Sequence, residues 1–158
     1  MATKTNAVRL VEQAGIPCRE EFYEFDEHDL NGNHAAEALG KPAEEVFKTL
    51  VARGERTGIN VFCIPVCCEL DLKKAARSVG EKSVAMLHVK DINQVTGYIR
   101  GGCTAIGMKK QYVTRLDQGA KEQETIIVSG GRIGSQVELS PDDLLKACRG
   151  EYGDIIVR

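Results

Sequence analysis

The sequence predicts a single α+β domain over residues 1–158, with a curved, barrel-like mixed β-sheet and helices packed around it. A length of 158 residues fits one domain that can bury its own core. The composition, 42% hydrophobic and 28% charged, is typical of globular proteins and excludes disordered and fibrous classes. Helical and strand-like segments do not alternate strictly along the chain, so we do not expect a doubly wound parallel sheet.

The first half of the chain carries clear boundary signals for helices and strands. Thr5 precedes apolar residues at helical spacing, which predicts an N-capped helix that ends at Gly15. The other predicted elements of this half are a strand over 20–26, short helices over 33–39 and 42–46, a hairpin of strands 47–53 and 59–66, a helix from Asp71 to Gly80, a strand over 83–87 and a helix over 91–95 ended by Gly97.

The second half is read as strands that lead into glycine-rich turns. We predict two such junctions. In the first, the strand Tyr98-Ile99 leads into the turn GGCTAIG (101–107); in the second, a strand over 125–129 leads into the turn SGGRIG (129–134). Further predicted elements are strands over 112–116 and 136–139, a helix that starts at Ser140-Pro141 and ends at Gly150, and a terminal strand over 154–157.

Charge is distributed unevenly along the chain. The net charge of −2 argues against a globally basic nucleic-acid-binding protein. Residues 72–115, however, carry nine Lys or Arg side chains against two Asp or Glu. Such a basic segment is typical of a local polyanion site, although a solvated helix face with loop lysines accounts for the same charges.

Several common kinds of site are not indicated. The six cysteines include no C-x-x-C pair, so we expect reduced, mostly buried thiols and no bound metal. The chain has no phosphate-binding P-loop and no dinucleotide fingerprint, and we expect no cofactor. It also has no secretory signal and no apolar run near the roughly 18 residues of a membrane span, which predicts a cytoplasmic protein.

Two features stand out as candidate chemistry. Lys48 is a single cation in the apolar strand VFKTLV, on the face of Leu50 and opposite Thr49. Its ammonium either reaches water along the strand or stands in a cleft as a phosphate or carboxylate contact. The two glycine turns allow backbone N–H groups to approach a ligand and hold an anion, although glycine also marks ordinary turns.

Four motifs in order resemble the YbaK/EbsC family of freestanding aminoacyl-tRNA editing proteins. They are FKTLV (47–51), ELDLKKAA (69–76), TGYIRGGCTAIGMKK (96–110) and VSGGRIGSQVEL (128–139). The resemblance implies the fold that this family shares with the editing insertion of bacterial prolyl-tRNA synthetases. It also implies cleavage of the ester between an amino acid and the terminal ribose of a tRNA, with Cys-tRNA(Pro) as the expected substrate and prolyl-tRNA synthetase as a candidate partner.

The resemblance also implies site residues and a mechanism without a cofactor. In family members that act on cysteine, the thiol of the substrate attacks its own carbonyl carbon, so the protein needs no nucleophile. The implied catalytic residues are Lys48, Gly101 and Gly102, and the implied substrate-binding residues are Tyr23, Thr49, Cys103, Ser129, Gly130 and Gly131.

The chain departs from the family pattern at three places. An aromatic residue of the family stands here as Asn31 or Gly32, a Ser-Pro as Thr104-Ala105, and an acidic residue as Ser135 or Gln136. These departures affect pocket shape more than Lys48. Three alternatives therefore stay open: a deacylase for Ala-tRNA(Pro) or another small amino acid, a non-catalytic module that binds tRNA or a synthetase, and an unrelated apolar-pocket protein whose glycine loops are plain turns.

Overall fold

Eight strands in two β-sheets form the framework of the described chain. The structure is a computed structural model and describes residues 4–23, 36–37 and 39–158. The strands are β1 Arg19–Phe22, β2 Phe47–Gly54, β3 Gly58–Pro65, β4 Val84–Met86, β5 Val113–Asp117, β6 Ile126–Ser129, β7 Ser135–Leu139 and β8 Glu151–Gly153. The smaller sheet has the order β1-β7-β6, and the larger one has the order β4-β2-β3-β5-β8.

The larger sheet is mixed, as the sequence predicts. Strands β4, β2 and β3 are antiparallel neighbours, whereas β5 and β8 are added in parallel. The expectation of barrel-like closure was wrong, because within the described part of the chain only one parallel bridge, between Val46 and Ile127, joins the two sheets. Strand β6 pairs with β7 along its whole length and then ends in the second glycine turn, and the described residues show no further pairing of β6 with β2 that would close the sheet.

Four helices of the described chain pack around these sheets: α1 Asn6–Gln13, α2 Leu72–Ser78, α3 Val89–Thr96 and α4 Pro141–Cys148. Three of them start where the sequence predicts, because the side chains of Thr5, Asp71 and Ser140 accept hydrogen bonds from backbone N–H groups of the first turn. Helix α3 begins two residues before the predicted start. The predicted helix over 42–46 is a 3₁₀ turn, Ala43–Glu45.

The core has three apolar clusters, and the two largest lie on opposite faces of strand β2. Phe47, Val61 and Cys63 belong to the largest cluster, which also includes residues of α1, α4, β6 and β7. Ala52, Phe62 and Ile64 lie on the opposite face, in a cluster with α2. The third and smallest cluster, which we call the small cluster, consists of Ala36, Val46, Val66 and Ile127, with Leu39 and Ala43 packed against it.

Two predicted strands are wrong, and in both cases a backbone N–H group donates to a side-chain oxygen and not to a neighbouring strand. Tyr98-Ile99 is a loop, because the Tyr98 N–H donates to the Thr96 hydroxyl. The terminal segment 154–157 makes only a bridge between Ile156 and Leu70, because the Ile155 N–H donates to the buried Asp117 carboxylate. The last strand is β8, just before that segment.

Some predictions fall outside the described residues. Strand β1 confirms the start of the strand predicted over 20–26, and residues 24–26 are not described. The predicted helix over 33–39 is described only at positions 36, 37 and 39, which are helical. The departure at Asn31 or Gly32 also lies outside the described residues.

Candidate functional site

A row of polar side chains crosses four strands on one face of the molecule. Strand β1 aligns Glu21 with Gln136 of β7, and β7 aligns Gln136 with Ser129 of β6. The parallel bridge between Val46 and Ile127 then places Lys48 level with Ser129, because each lies two residues beyond the bridge in the same direction. We call Glu21, Gln136, Ser129 and Lys48 the polar row.

The members of the polar row share a face because side chains alternate along a strand. Val46 and Ile127 both belong to the small cluster. Lys48 and Ser129, two residues further on, therefore lie on the face of that cluster. Cross-strand partners share a face, so Gln136 and Glu21 lie there as well.

The interior of the row is more buried than its ends. Ser129 is 9% exposed and Gln136 is 5% exposed, whereas Lys48 and Glu21 are half-buried. The row thus has an amide and a hydroxyl at its centre, an ammonium at one end and a carboxylate at the other. Polar groups packed this way can bind a ligand that is itself polar and carries both signs of charge.

The two glycine turns pack directly against each other. A Cβ atom on Gly102 would lie 2.8 Å from Cα of Arg132 and 2.9 Å from the backbone N of Ile133. Gly101 has φ +87° and Gly131 has φ +103°, conformations that L side chains rarely adopt. Glycine at these positions therefore allows the first turn to pack against the second. The second turn follows directly from Ser129 of the polar row.

The second glycine turn is held by hydrogen bonds from several elements. The Gly130 N–H donates to Ser135 O at 2.8 Å, and the Gly131 N–H donates to the Ser129 hydroxyl at 3.1 Å. The Thr5 hydroxyl, which caps α1, donates to Gly130 O. Tyr23 lies beside the same turn, since its N–H donates to Gly134 O at 3.0 Å.

Of the predicted site residues, the structure brings Lys48, Ser129 and the two glycine turns into one region, with the Tyr23 backbone beside it. Thr49 points to the other face of β2, where its hydroxyl lies 3.7 Å from the Cys63 thiol. Cys103 lies near the Thr96 hydroxyl and the Cys63 thiol. None of these predicted residues lines the cavity of about 340 Å³ beside α1 and α4.

The cysteine near the first glycine turn is not set up as a nucleophile. All six cysteines are free thiols. The expectation that most of them are buried was wrong, because only Cys63 and Cys148 are buried and Cys67 is exposed. Burial raises the pKa of Cys103 to about 11, against a smaller opposite effect of the Thr96 hydroxyl. Burial also raises the pKa of Cys63. Since the thiolate is the reactive form, these buried thiols are weak nucleophiles at neutral pH.

Three cations of the basic segment 72–115 make polar contacts within the protein. Lys74 pairs with Asp154 at 3.3 Å, Arg115 donates to Ser78 O, and Lys109 donates to Gln94 O. The other cations of the segment are exposed: Lys73, Arg77, Lys82, Lys90, Arg100 and Lys110. Their positive charge is available to a polyanion, which agrees with the interpretation of this segment as a polyanion site. The same exposure also agrees with a solvated surface.

Sequence reasoning missed Glu21 as a site residue and noted Gln136 only as a departure from the family pattern. The strand REEF contains two adjacent acidic residues, Glu20 and Glu21, which face opposite sides. Glu20 Oε2 accepts a hydrogen bond from the Ser135 hydroxyl at 3.4 Å. Only the register with β7 shows which of the two joins the polar row, so no signal in the sequence could have chosen between them.

One known protein family matches most of this chain. The family model described as the aminoacyl-tRNA editing domain matches residues 32–147. The chain belongs to the aminoacyl-tRNA editing domain family. This membership confirms the resemblance that the four sequence motifs indicate.

One curated relative of this editing domain is similar over nearly its whole length. It is the Enterococcus faecalis protein named "Putative Cys-tRNA(Pro)/Cys-tRNA(Cys) deacylase EbsC", 46% identical over 155 residues, which cover 98% of this chain and 94% of the relative.

Solved structures show the same fold. A crystal structure titled as a putative trans-editing enzyme for prolyl tRNA synthetase has a TM-score of 0.81 at 22% identity, covering 99% of this chain and 100% of the other. A hypothetical protein has a TM-score of 0.87 at 21% identity, covering 97% and 100%. These likenesses confirm the predicted α+β editing-domain fold.

Two further features of the editing domain concern metals and membranes. Among the residues that the structure describes, no three His, Cys, Asp or Glu side chains come close enough together to hold a metal ion. Within the same residues, no helix is long and apolar enough to cross a membrane.

Proposed function

We propose that this editing domain is a trans-editing deacylase that cleaves the ester of misacylated tRNA, with Cys-tRNA(Pro) as its main substrate. The observation that carries the proposal is the 46% identity, over 98% of the chain, to the relative named as a Cys-tRNA(Pro)/Cys-tRNA(Cys) deacylase. The polar row beside two packed glycine turns supports it, because this region can bind a small polar ester with a charged nucleic-acid end.

The proposed chemistry uses the substrate as its own nucleophile. The thiol sulfur of the cysteinyl group attacks its ester carbonyl carbon and gives up its proton, the bond to the ribose oxygen breaks, that oxygen takes up the proton, and a thiolactone leaves. Geometry held by the site favours such an intramolecular attack, for which effective molarities reach about 10⁵ M or more. The raised pKa of Cys103, about 11, supports a mechanism without a protein nucleophile.

The glycine turns supply hydrogen-bond donors to the reaction in this proposal. The backbone N–H of Gly101 holds the oxyanion that develops on the carbonyl oxygen, while Gly102, whose own N–H donates to Ile99 O at 3.0 Å, lines the site of the aminoacyl group. One such donor is worth roughly 3 kcal/mol in well-studied acyl-transfer enzymes. The second turn, Ser129 with Gly130 and Gly131, closes the pocket around the amino acid and limits its size.

Lys48 contacts the phosphate or ribose of the terminal nucleotide. An ammonium is a compact point charge that suits a phosphate, and Lys48 lies level with the first residue of the second glycine turn. Tyr23 borders the same turn and contacts the aminoacyl end. Contacts of Thr49 and Cys103 with substrate stay predictions, since Thr49 faces Cys63 on the other side of β2.

The partners follow from the same substrate. The acceptor end of a misacylated tRNA binds along the exposed cations of the basic segment, through phosphate contacts that carry little sequence information. Selection of tRNA(Pro) would then come from prolyl-tRNA synthetase as a partner. We further propose that residues 1–158 act as one editing domain in the cytoplasm, where charged tRNA is present, and use neither a metal nor a cofactor.

A direct assay tests the function. Purified protein is incubated with Cys-tRNA(Pro), Cys-tRNA(Cys), Ala-tRNA(Pro) and Pro-tRNA(Pro), and loss of each ester is followed over time. We expect both cysteinyl esters to be cleaved fastest and Pro-tRNA(Pro) to be spared. Fastest loss of alanine would instead assign an alanyl substrate. No turnover of any mischarged tRNA would contradict the proposal and favour a binding module.

A further inference from the structure

One oxygen of the Glu21 carboxylate has no partner among the residues that the structure describes. Glu21 Oε2 is inaccessible to solvent and makes no hydrogen bond among the residues that the structure describes. It is the only buried side-chain oxygen or nitrogen of those residues left in this state. A buried polar oxygen without a partner is costly and uncommon in folded proteins, which points to a ligand that completes it.

Other charged groups on this face do not satisfy that oxygen. Lys41 pairs with Glu138 at 3.8 Å, and Glu138 also accepts from the Thr125 hydroxyl. Arg19, two residues before Glu21 on the same face, is exposed and aligned with Glu138. Lys48 stands at the opposite end of the polar row.

The distance between the two ends of the row fits two separate charges of one ligand. Neighbouring strands lie about 4.8 Å apart, so the backbones of Glu21 and Lys48 are separated by three spacings, about 14 Å. An aminoacyl ester on a tRNA end carries an α-ammonium on the amino acid and a phosphate on the nucleotide, on opposite sides of the ester. The row offers a carboxylate and an ammonium in the same arrangement.

We propose that Glu21 binds the α-ammonium of the aminoacyl group and so orients the ester along the polar row. This inference rests on the proposed function and assigns a substrate-binding residue to it. A charge-assisted hydrogen bond of this kind would complete the unpartnered Oε2 atom. It would also favour substrates with a free α-amino group over those in which that group is acylated.

The test compares free-amine and N-acetylated substrates. Wild type and Glu21→Gln are assayed with Cys-tRNA(Pro) and with N-acetyl-Cys-tRNA(Pro), whose nitrogen carries no charge. We expect wild type to cleave the free-amine substrate about tenfold or more better, as judged by kcat/KM. Glu21→Gln should cleave both at similar rates, with its loss on Cys-tRNA(Pro) appearing mainly in KM.

Glu20→Gln is the matched control. Glu20 is the neighbouring acid on the opposite face, and glutamine keeps an oxygen that can accept from the Ser135 hydroxyl. This variant should keep the discrimination of wild type. Glu21→Gln should also keep or raise the melting temperature, because it removes the charge from a carboxylate whose Oε2 atom is buried without a partner. A marked drop would mean that Glu21 stabilises the fold, and would overturn the proposal.

A binding measurement separates this inference from the proposed activity. The probe is 3′-cysteinylamino-3′-deoxyadenosine 5′-phosphate, whose amide bond resists cleavage, with its N-acetyl form for comparison. Calorimetry should show wild type binding the free-amine probe more tightly, and Glu21→Gln binding both equally. Equal binding by wild type, or unchanged discrimination in Glu21→Gln, would overturn the role of Glu21 whatever the activity. A wild type that discriminates but cleaves no mischarged tRNA would contradict only the proposed function.

Discussion

Gly102 packs against the backbone of Arg132 so closely that a Cβ atom on Gly102 would stand 2.8 Å from the Arg132 Cα atom. The contact joins two turns that are about thirty residues apart in the sequence. It fixes the backbone of the first turn against the second turn, which begins at Ser129 of the polar row.

Gly102→Ala should therefore damage both activity and stability. The methyl group meets main-chain atoms that cannot move aside, and overpacking of this kind costs about 1–3 kcal/mol. We expect a lower melting temperature and a larger relative loss of Cys-tRNA(Pro) deacylation. Gly153→Ala is the control, because its Cβ would meet nothing nearer than 3.6 Å. Equal activity in the two variants would show that the turn–turn contact has no role in the reaction.

Lys48→Ala should remove activity without unfolding the protein. Lys48 is half-buried at the edge of the small cluster, and the proposal assigns its ammonium to the tRNA end. Removal of this charge lowers kcat/KM by about a hundredfold, because the phosphate or ribose then has no ammonium to bind it. Arg53→Ala, an exposed cation on the same strand, should change neither property. A melting temperature that falls by more than a few degrees in Lys48→Ala would instead support a lysine whose stem packs for stability while its ammonium reaches water.

Cys103→Ser should leave deacylation largely intact. Burial raises the pKa of the Cys103 thiol to about 11, so it is protonated at neutral pH. Serine keeps a group that can hydrogen-bond with the Thr96 hydroxyl. The assay is the initial rate on Cys-tRNA(Pro) at neutral pH. A collapse of turnover in a folded variant would reveal a protein nucleophile.

The hairpin of β2 and β3 should make stability depend on pH through Glu81. Its carboxylate accepts from the Thr57 N–H at 2.6 Å, the Thr57 hydroxyl at 2.7 Å and the Arg56 N–H at 2.9 Å. The hydrogen bonds from Thr57 lower the pKa of Glu81 below its ordinary value of 4.5. A lowered folded-state pKa contributes stability that is present above the unfolded pKa and is lost as pH falls through the folded pKa.

Glu81→Gln should accordingly melt a few degrees lower than wild type at pH 7, and the difference should shrink below about pH 4.5. Thermal melts followed by circular dichroism between pH 7 and about pH 3 measure it. Glu55→Gln, in the same turn but exposed, is the control and should follow wild type. A difference that stays constant over this range would exclude the charge of Glu81 as its source.

Local patterns were sufficient to predict most of the secondary structure. The capping side chains of Thr5, Asp71 and Ser140 act on N–H groups within three residues, so they can be recognised in the sequence alone. Tyr98-Ile99 was mispredicted although its signal is local, because the Thr96 hydroxyl that accepts from the Tyr98 N–H lies only two residues away. The segment 154–157 could not be predicted in this way, because the Asp117 carboxylate that accepts from the Ile155 N–H comes from a distant part of the chain.

The sequence by itself determined the α+β class, the hairpin, the glycine turns and, through four ordered motifs, membership of the editing-domain family. The tertiary structure decided which side chains share a face. Glu21 meets Gln136, and Lys48 meets Ser129, through strands that are not consecutive in the chain. A shift of one residue in register would turn each of these side chains to the other face, and pairing between distant strands is set only when the whole core assembles.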